Sequence, residues 1–144
     1  MVFKQEKQVI LWVEDDRQDR LLIEDALEEV EIKGDVQFVW DGEEALDYLL
    51  RQGEYQHLTT KEYPSLIMMD LNMPRKNGLE TVQEIRNNSN IPHIPIIIFT
   101  TSSAQSDKMQ SYDLKVSSFM TKPKSFEDLK NIIRYIEDSQ AYMF

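Results

Sequence analysis

Four short segments carry the side chains from which chemistry could be built. They are Glu14-Asp15-Asp16, Asp70-Leu71-Asn72-Met73-Pro74, Thr100-Thr101 and Lys122-Pro123. Brought together, they would form a cluster of carboxylates with a hydroxyl and one ammonium. Crowded carboxylates raise one another's pKa values unless a cation intervenes. Every ligand on offer is an oxygen: the chain has no cysteine, and His57 and His93 stand apart from all four segments. Hard oxygen donors suit Mg²⁺, or Mn²⁺, better than zinc. Mg²⁺ keeps waters and leaves room for phosphoryl oxygens. A carboxylate beside such an ion can attack phosphorus and form an acyl phosphate. The metal, a lysine and a hydroxyl would then hold the three equatorial oxygens.

The hydropathy pattern contains elements that could bring these segments together. Apolar runs at 9–13, 36–40, 66–69, 95–100 and 116–121 read as strands. Amphipathic stretches at 17–31, 43–51, 78–88, 104–114 and 126–138 read as helices. The first offers Leu21, Leu22, Ala26, Leu27 and Val30 as its buried face, with Asp15 or Asp16 as N-cap. The last offers Phe126, Leu129, Ile132, Ile133 and Ile136 after Ser125 as N-cap. The fourth is weak, with only Ala104, Met109, Tyr112 and Leu114 for the core. Five strands alternating with five helices predict an α/β fold, a doubly wound five-stranded parallel sheet covered on both faces. Ligands in such folds sit beyond the C-terminal ends of the strands. Each of the four segments closes a predicted strand, so parallel packing would converge them at one edge.

Composition narrows the function further. The 144 residues suit one domain, with a core at about 8–138 and a tail at 139–144. Lys+Arg number 16 and Asp+Glu 26, a net charge of −10. That balance argues against non-specific nucleic-acid binding and against adhesion to anionic membranes. No apolar run approaches the ~18 residues of a membrane span. The start has no apolar core of a secretory signal. A soluble, cytoplasmic protein is expected, with no output domain after residue 144.

The segments Val13-Glu14-Asp15-Asp16, Met69-Asp70-Leu71-Asn72-Met73-Pro74 with Gly78, Phe99-Thr100-Thr101 and Phe119-Met120-Thr121-Lys122-Pro123 stand in a telling order. From Gln8 to Asp138 the chain resembles a response-regulator receiver domain of two-component signalling, a flavodoxin-like, CheY-like three-layer sandwich. The resemblance implies that Asp70 is the phospho-acceptor and Asp15 the direct metal ligand, with Glu14 reaching the metal through water. It implies that the backbone carbonyl of Asn72 also binds Mg²⁺. Thr100 is then the switch hydroxyl, Lys122 the lysine that pairs with the phosphoryl group, and Phe119 the aromatic switch. The Lys122-Pro123 bond is expected to be cis. Glu14 replaces the commoner Asp, Lys115 stands where many members have Gly, and Ser102 leaves the autodephosphorylation rate open. The segments Trp40-Asp41-Gly42-Glu43-Glu44-Ala45, Gly53-Glu54-Tyr55 and Ser111-Tyr112-Asp113-Leu114 are similar to stand-alone regulators of bacterial phytochrome kinases. The implied partner is a sensor histidine kinase, and the implied activity is a self-modifying switch rather than a turnover enzyme.

Competing readings fare worse. A calcium loop starting at Asp70 would need Gly at Arg75 and Glu at Thr81. A haloacid-dehalogenase-like phosphatase needs a second Asp where Asn72 stands. A nucleotide site needs a glycine-rich loop after the first strand, and Glu14-Asp15-Asp16 would repel phosphate there. A phosphate-independent interaction module on the same fold is the remaining alternative. Asp16 reads as a cap, Thr101 as a local backbone-bonding residue, and Met68, Met69, Met109 and Met120 as core. The weak fourth helix suits a population shift in which Thr100 and Phe119 move with the phosphoryl group. Tyr135 and the apolar tail at 142–144 suggest a homodimer through the last helix and the neighbouring face.

Overall fold

The computed structural model describes residues 8–58, 63–74, 76–101 and 104–140. Strand β1 (Val9–Val13) leads into helix α1 (Arg17–Val30), β2 (Asp35–Val39) into α2 (Gly42–Leu50), and β3 (Leu66–Met69) into α3 (Gly78–Asn87). Then come β4 (Ile96–Thr100), α4 (Gln105–Asp113), β5 (Ser118–Thr121) and α5 (Phe126–Gln140). The five strands form one parallel sheet in the order β2-β1-β3-β4-β5. The order reverses between β1 and β3, which opens a crevice there for a ligand.

The strands lack an alternating polar pattern because both faces are covered. Leu11, Val13, Ile67, Met69, Ile96 and Ile98 point into one apolar layer, with Ala45, Leu49, Val82 and Ile85 of α2 and α3. Ile10, Trp12, Leu66, Met68, Ile97 and Phe99 point into the other, with Ile23, Leu27, Leu129, Ile133 and Ile136 of α1 and α5. Trp12 is the largest side chain of that layer and stands edge-on to Phe99, with ring centroids 5.7 Å apart.

Local sequence explains most boundaries. The Asp16 side chain accepts from the N–H of Asp19, and Asp41 and Asn77 cap α2 and α3 in the same way. The Ser125 hydroxyl accepts from the N–H of Asp128 at the start of α5. Strand β5 begins at Ser118, later than the expected 116, because Lys115 turns the chain with φ 61°. That left-handed residue is where many receivers carry Gly, which has no Cβ to strain the turn.

Three expectations need correction. Helix α1 buries Ile23, Ala26 and Leu27, whereas Leu21 and Leu22 are about half exposed, at 54% and 49%. Packing on α5 and the sheet selects the face through Ile23 and Leu27, and apolarity alone placed it a residue or two early. Met109 is 60% exposed rather than core, and Tyr112 and Ala104 are also exposed. Helix α4 touches the core through half-buried Leu114 beyond its end, and Ser111 is its one buried residue. No cis peptide bond occurs among the described residues, so Lys122-Pro123 is trans. The trans form is intrinsically favoured, and the turn closes on a 2.7 Å bond from the N–H of Lys122 to the carbonyl of Thr100. Ser102 and the tail at 141–144 lie outside the described residues.

Candidate functional site

Parallel register delivers the four segments to one edge. Val13 pairs with Met69, Met69 with Ile98, and Thr100 with Thr121. The residues that follow, Glu14, Asp70 and Lys122, therefore leave the sheet side by side. Gly78 fixes the approach of α3, because a Cβ there would collide with the Asp70 carbonyl and the Leu71 backbone. Its N–H donates to the carbonyl of Leu71 at 3.0 Å, which folds the loop after Asp70 back onto the helix.

The lysine is the centre of the arrangement. Lys122 Nζ lies 2.7 Å from Glu14 Oε1, 2.8 Å from Asp19 Oδ2 and 2.9 Å from Asp70 Oδ2. Asp70 is buried, and its Oδ1 accepts from the N–H of Asn72 at 3.2 Å. Glu14 is fully buried. Its Oε2 accepts from the N–H of Asp16 at 3.1 Å, while Oε1 meets the lysine as a close ion pair. Carboxylate oxygens of Glu14, Asp15 and Asp70 all lie within 4.8 Å of one another.

The electrostatics follow from this crowding. Burial, and then the Asp70 charge, push Glu14 up to about 8 against the pull of Lys122. The same two causes, in the same order, raise Asp15 above the ordinary aspartate value. Burial disfavours the Lys122 ammonium, but its bonds to Asp19, Glu14 and Asp70 outweigh that and raise its pKa above the ordinary lysine value. One ammonium thus leaves the acidic group short of positive charge. A hard divalent cation fits that deficit, since the donors are all oxygens and the Glu14, Asp15 and Asp70 carboxylates crowd within 4.8 Å of one another.

The remaining predicted residues fall around this core. Thr100 is fully buried at the end of β4, and its Oγ1 accepts from Asn72 Nδ2 at 3.3 Å. Asn72 also donates to Thr101 Oγ1 at 3.1 Å, so Thr101 receives a side chain rather than acting only on its own backbone. Phe119 comes from the strand just before Lys122. It is half-buried on β5, packs against the α2–α3 layer, and has Lys108 Nζ 6.0 Å from its ring centre. Both histidines are exposed and distant from the cluster in sequence. Asp19 was not anticipated from the sequence. Its signal was present: it stands one helical turn beyond Asp15, at the start of a helix whose N-terminus faces the strand ends.

Residues 10–134 match the response regulator receiver domain family. The chain belongs to that family. Response regulator Rcp1 of Synechocystis sp. (strain ATCC 27184 / PCC 6803 / Kazusa) is 36% identical over 129 residues, covering 90% of this receiver and 86% of Rcp1. The crystal structure of the phosphorylated cyanobacterial phytochrome response regulator RcpA superimposes with a TM-score of 0.85 at 34% identity. It covers 96% of this chain and 97% of that one. The Mn²⁺-bound form of Rcp1 superimposes with a TM-score of 0.79 at 36% identity, covering 91% and 92%. This receiver therefore has relatives of the phytochrome-associated type. Among its described residues no helix is long and apolar enough to cross a membrane.

Proposed function

We propose that this receiver accepts a phosphoryl group on Asp70 from a sensor histidine kinase of phytochrome type and changes conformation in response. The observation that carries this reading is the placement of Asp70. Its carboxylate bridges the Lys122 ammonium and the Asn72 N–H while sharing a 4.8 Å cluster with Glu14 and Asp15. Mg²⁺ is the proposed ion. Asp15, Asp70 and the Asn72 carbonyl would hold it, with Glu14 reaching it through water. When bound, it supplies positive charge that offsets the carboxylates and the transferring phosphoryl oxygens.

The chain's own residues perform the transfer. An Asp70 oxygen attacks phosphorus, the P–O bond forms, and the P–N bond to the kinase histidine breaks with its electron pair on the imidazole. Lys122 holds one phosphoryl oxygen. Thr100 turns its hydroxyl from Asn72 toward another, and Phe119 follows into the space behind it. The receiver is consumed and regenerated as a switch, and it turns over no separate substrate. The cytoplasm is its proposed compartment. A homodimer through α5 and the neighbouring α4 face is also proposed, supported by exposed Met109, Tyr112 and Tyr135. A monomeric mass in light scattering at tens of micromolar would remove the dimer.

Intact mass after incubation with acetyl phosphate and Mg²⁺ tests the acceptor. The wild type is expected to gain one phosphoryl group and Asp70→Asn none. A gain on both proteins would mean a different acceptor, and a gain on neither would favour the phosphate-independent module.

A further inference from the structure

Lys122 has three carboxylate partners, and they are not equivalent. Glu14 and Asp70 belong to the acidic triad, with side chains 0% and 4% exposed. Asp19 lies outside that triad, its side chain is 37% exposed, and it comes from a different element, the first turn of α1. Its backbone is fixed, because its N–H is bound by the Asp16 cap at 2.9 Å. Its carboxylate is therefore held at the helix start and given to the lysine.

We propose that Asp19 is a positioning residue that competes with the phosphoryl group for Lys122 and so weakens phosphoryl binding at Asp70. The inference rests on the phospho-acceptor reading above. A cation bound by the triad offsets the charge of Glu14 and Asp70, and leaves Asp19 as the lysine's one anionic partner not shared with the ion. A phosphoryl oxygen must then displace Asp19 from Lys122, and the Asp19 charge also repels it. A slot of about 90 Å³ lies beside the pair, lined by Leu22, Phe99, Phe126 and Lys124 as well as Asp19 and Lys122. With its side chain 37% exposed, the Asp19 carboxylate can turn off the lysine toward solvent without disturbing the core.

Beryllofluoride, which bonds reversibly to a carboxylate oxygen as a stand-in for the phosphoryl group, is the probe. Its affinity is measured by calorimetry with saturating Mg²⁺ for the wild type, Asp19→Asn, Lys122→Ala and the double variant. Asp19→Asn is expected to bind it about threefold tighter, the size of a half-exposed charge pair. In the Lys122→Ala background the gain should fall well below that, because the competition needs the lysine. Asp19→Ser is the second variant, and should show the same gain. Equal or weaker binding by both Asp19 variants overturns the inference, and so does a gain that survives unchanged without Lys122. If the wild type binds no beryllofluoride and gains no phosphoryl group, the acceptor reading itself fails, and this inference with it.

Discussion

Strands β3 and β5 end at the same edge of the sheet and supply Asp70 and Lys122, yet they are held very differently. All four residues of β3 are buried between β1 and β4, and α3 behind it buries Gly78, Thr81, Val82 and Ile85. Strand β5 is an edge strand with three half-buried residues and one exposed, and α4 before it buries only Ser111. The proposed acceptor is thus mounted on the better-buried half of the molecule. The lysine, Phe119 and the α4 surface are mounted on the half with less buried packing. A switch needs that asymmetry, since the chemistry demands fixed geometry and the response demands an element with little packing to lose.

Hydrogen exchange would show the contrast most strongly. Amides of β1, β3 and β4 are expected to exchange only through global unfolding, at about 5–15 kcal/mol for a domain. Those of α4 should open several kcal/mol more easily, and equal protection would erase the distinction. Next in size is Ile98→Ala in β4, where a fully buried side chain is truncated. Urea unfolding should show a loss of about 2–5 kcal/mol.

Arg86 sharpens the comparison, because it ties the two halves together. From α3 its Nη1 donates to the carbonyl of Ile94 at 2.9 Å, Nε to that of Leu114 at 3.2 Å and Nη2 to that of Lys115 at 3.3 Å. Arg86→Met takes one donor from each of these carbonyls and should cost about 1–3 kcal/mol in urea unfolding. Adding Lys115→Gly should return part of that loss by relieving the left-handed turn. A loss below the error of the melt would show that α4 is anchored elsewhere. The smallest effect belongs to Met109→Ser on α4, expected within about 0.5 kcal/mol of wild type for the monomer, at concentrations where the proposed dimer is dissociated. A loss above about 2 kcal/mol there would mean that Met109 packs within the monomer.

Much of the site was legible from residue type and order. Asp70, Asp15, Glu14, Thr100 and Lys122 each follow an apolar run, and alternation of runs with amphipathic stretches dictated their shared edge. The buried face of α1 was less legible. Leu21, Leu22, Ile23, Ala26 and Leu27 are all apolar, and only the packing of α1 on α5 decides which of them turn inward. Asp19 escaped for a related reason: its place one turn beyond Asp15 put it near the strand ends, but only the tertiary structure separates a lysine partner from a solvated charge there.

The sequence by itself determined the parallel α/β architecture, because near-continuous apolar strands between amphipathic helices have few other ways to bury their surface. It also determined which residue types meet at the strand ends. Only the tertiary structure decided how the charges are shared there. Lys122 reaches Glu14, Asp19 and Asp70 from a distant strand, across 103 residues in the case of Asp19. Ion pairing of that kind depends on ångström-scale placement of elements, and hydropathy, which averages over whole elements, carries no information about it.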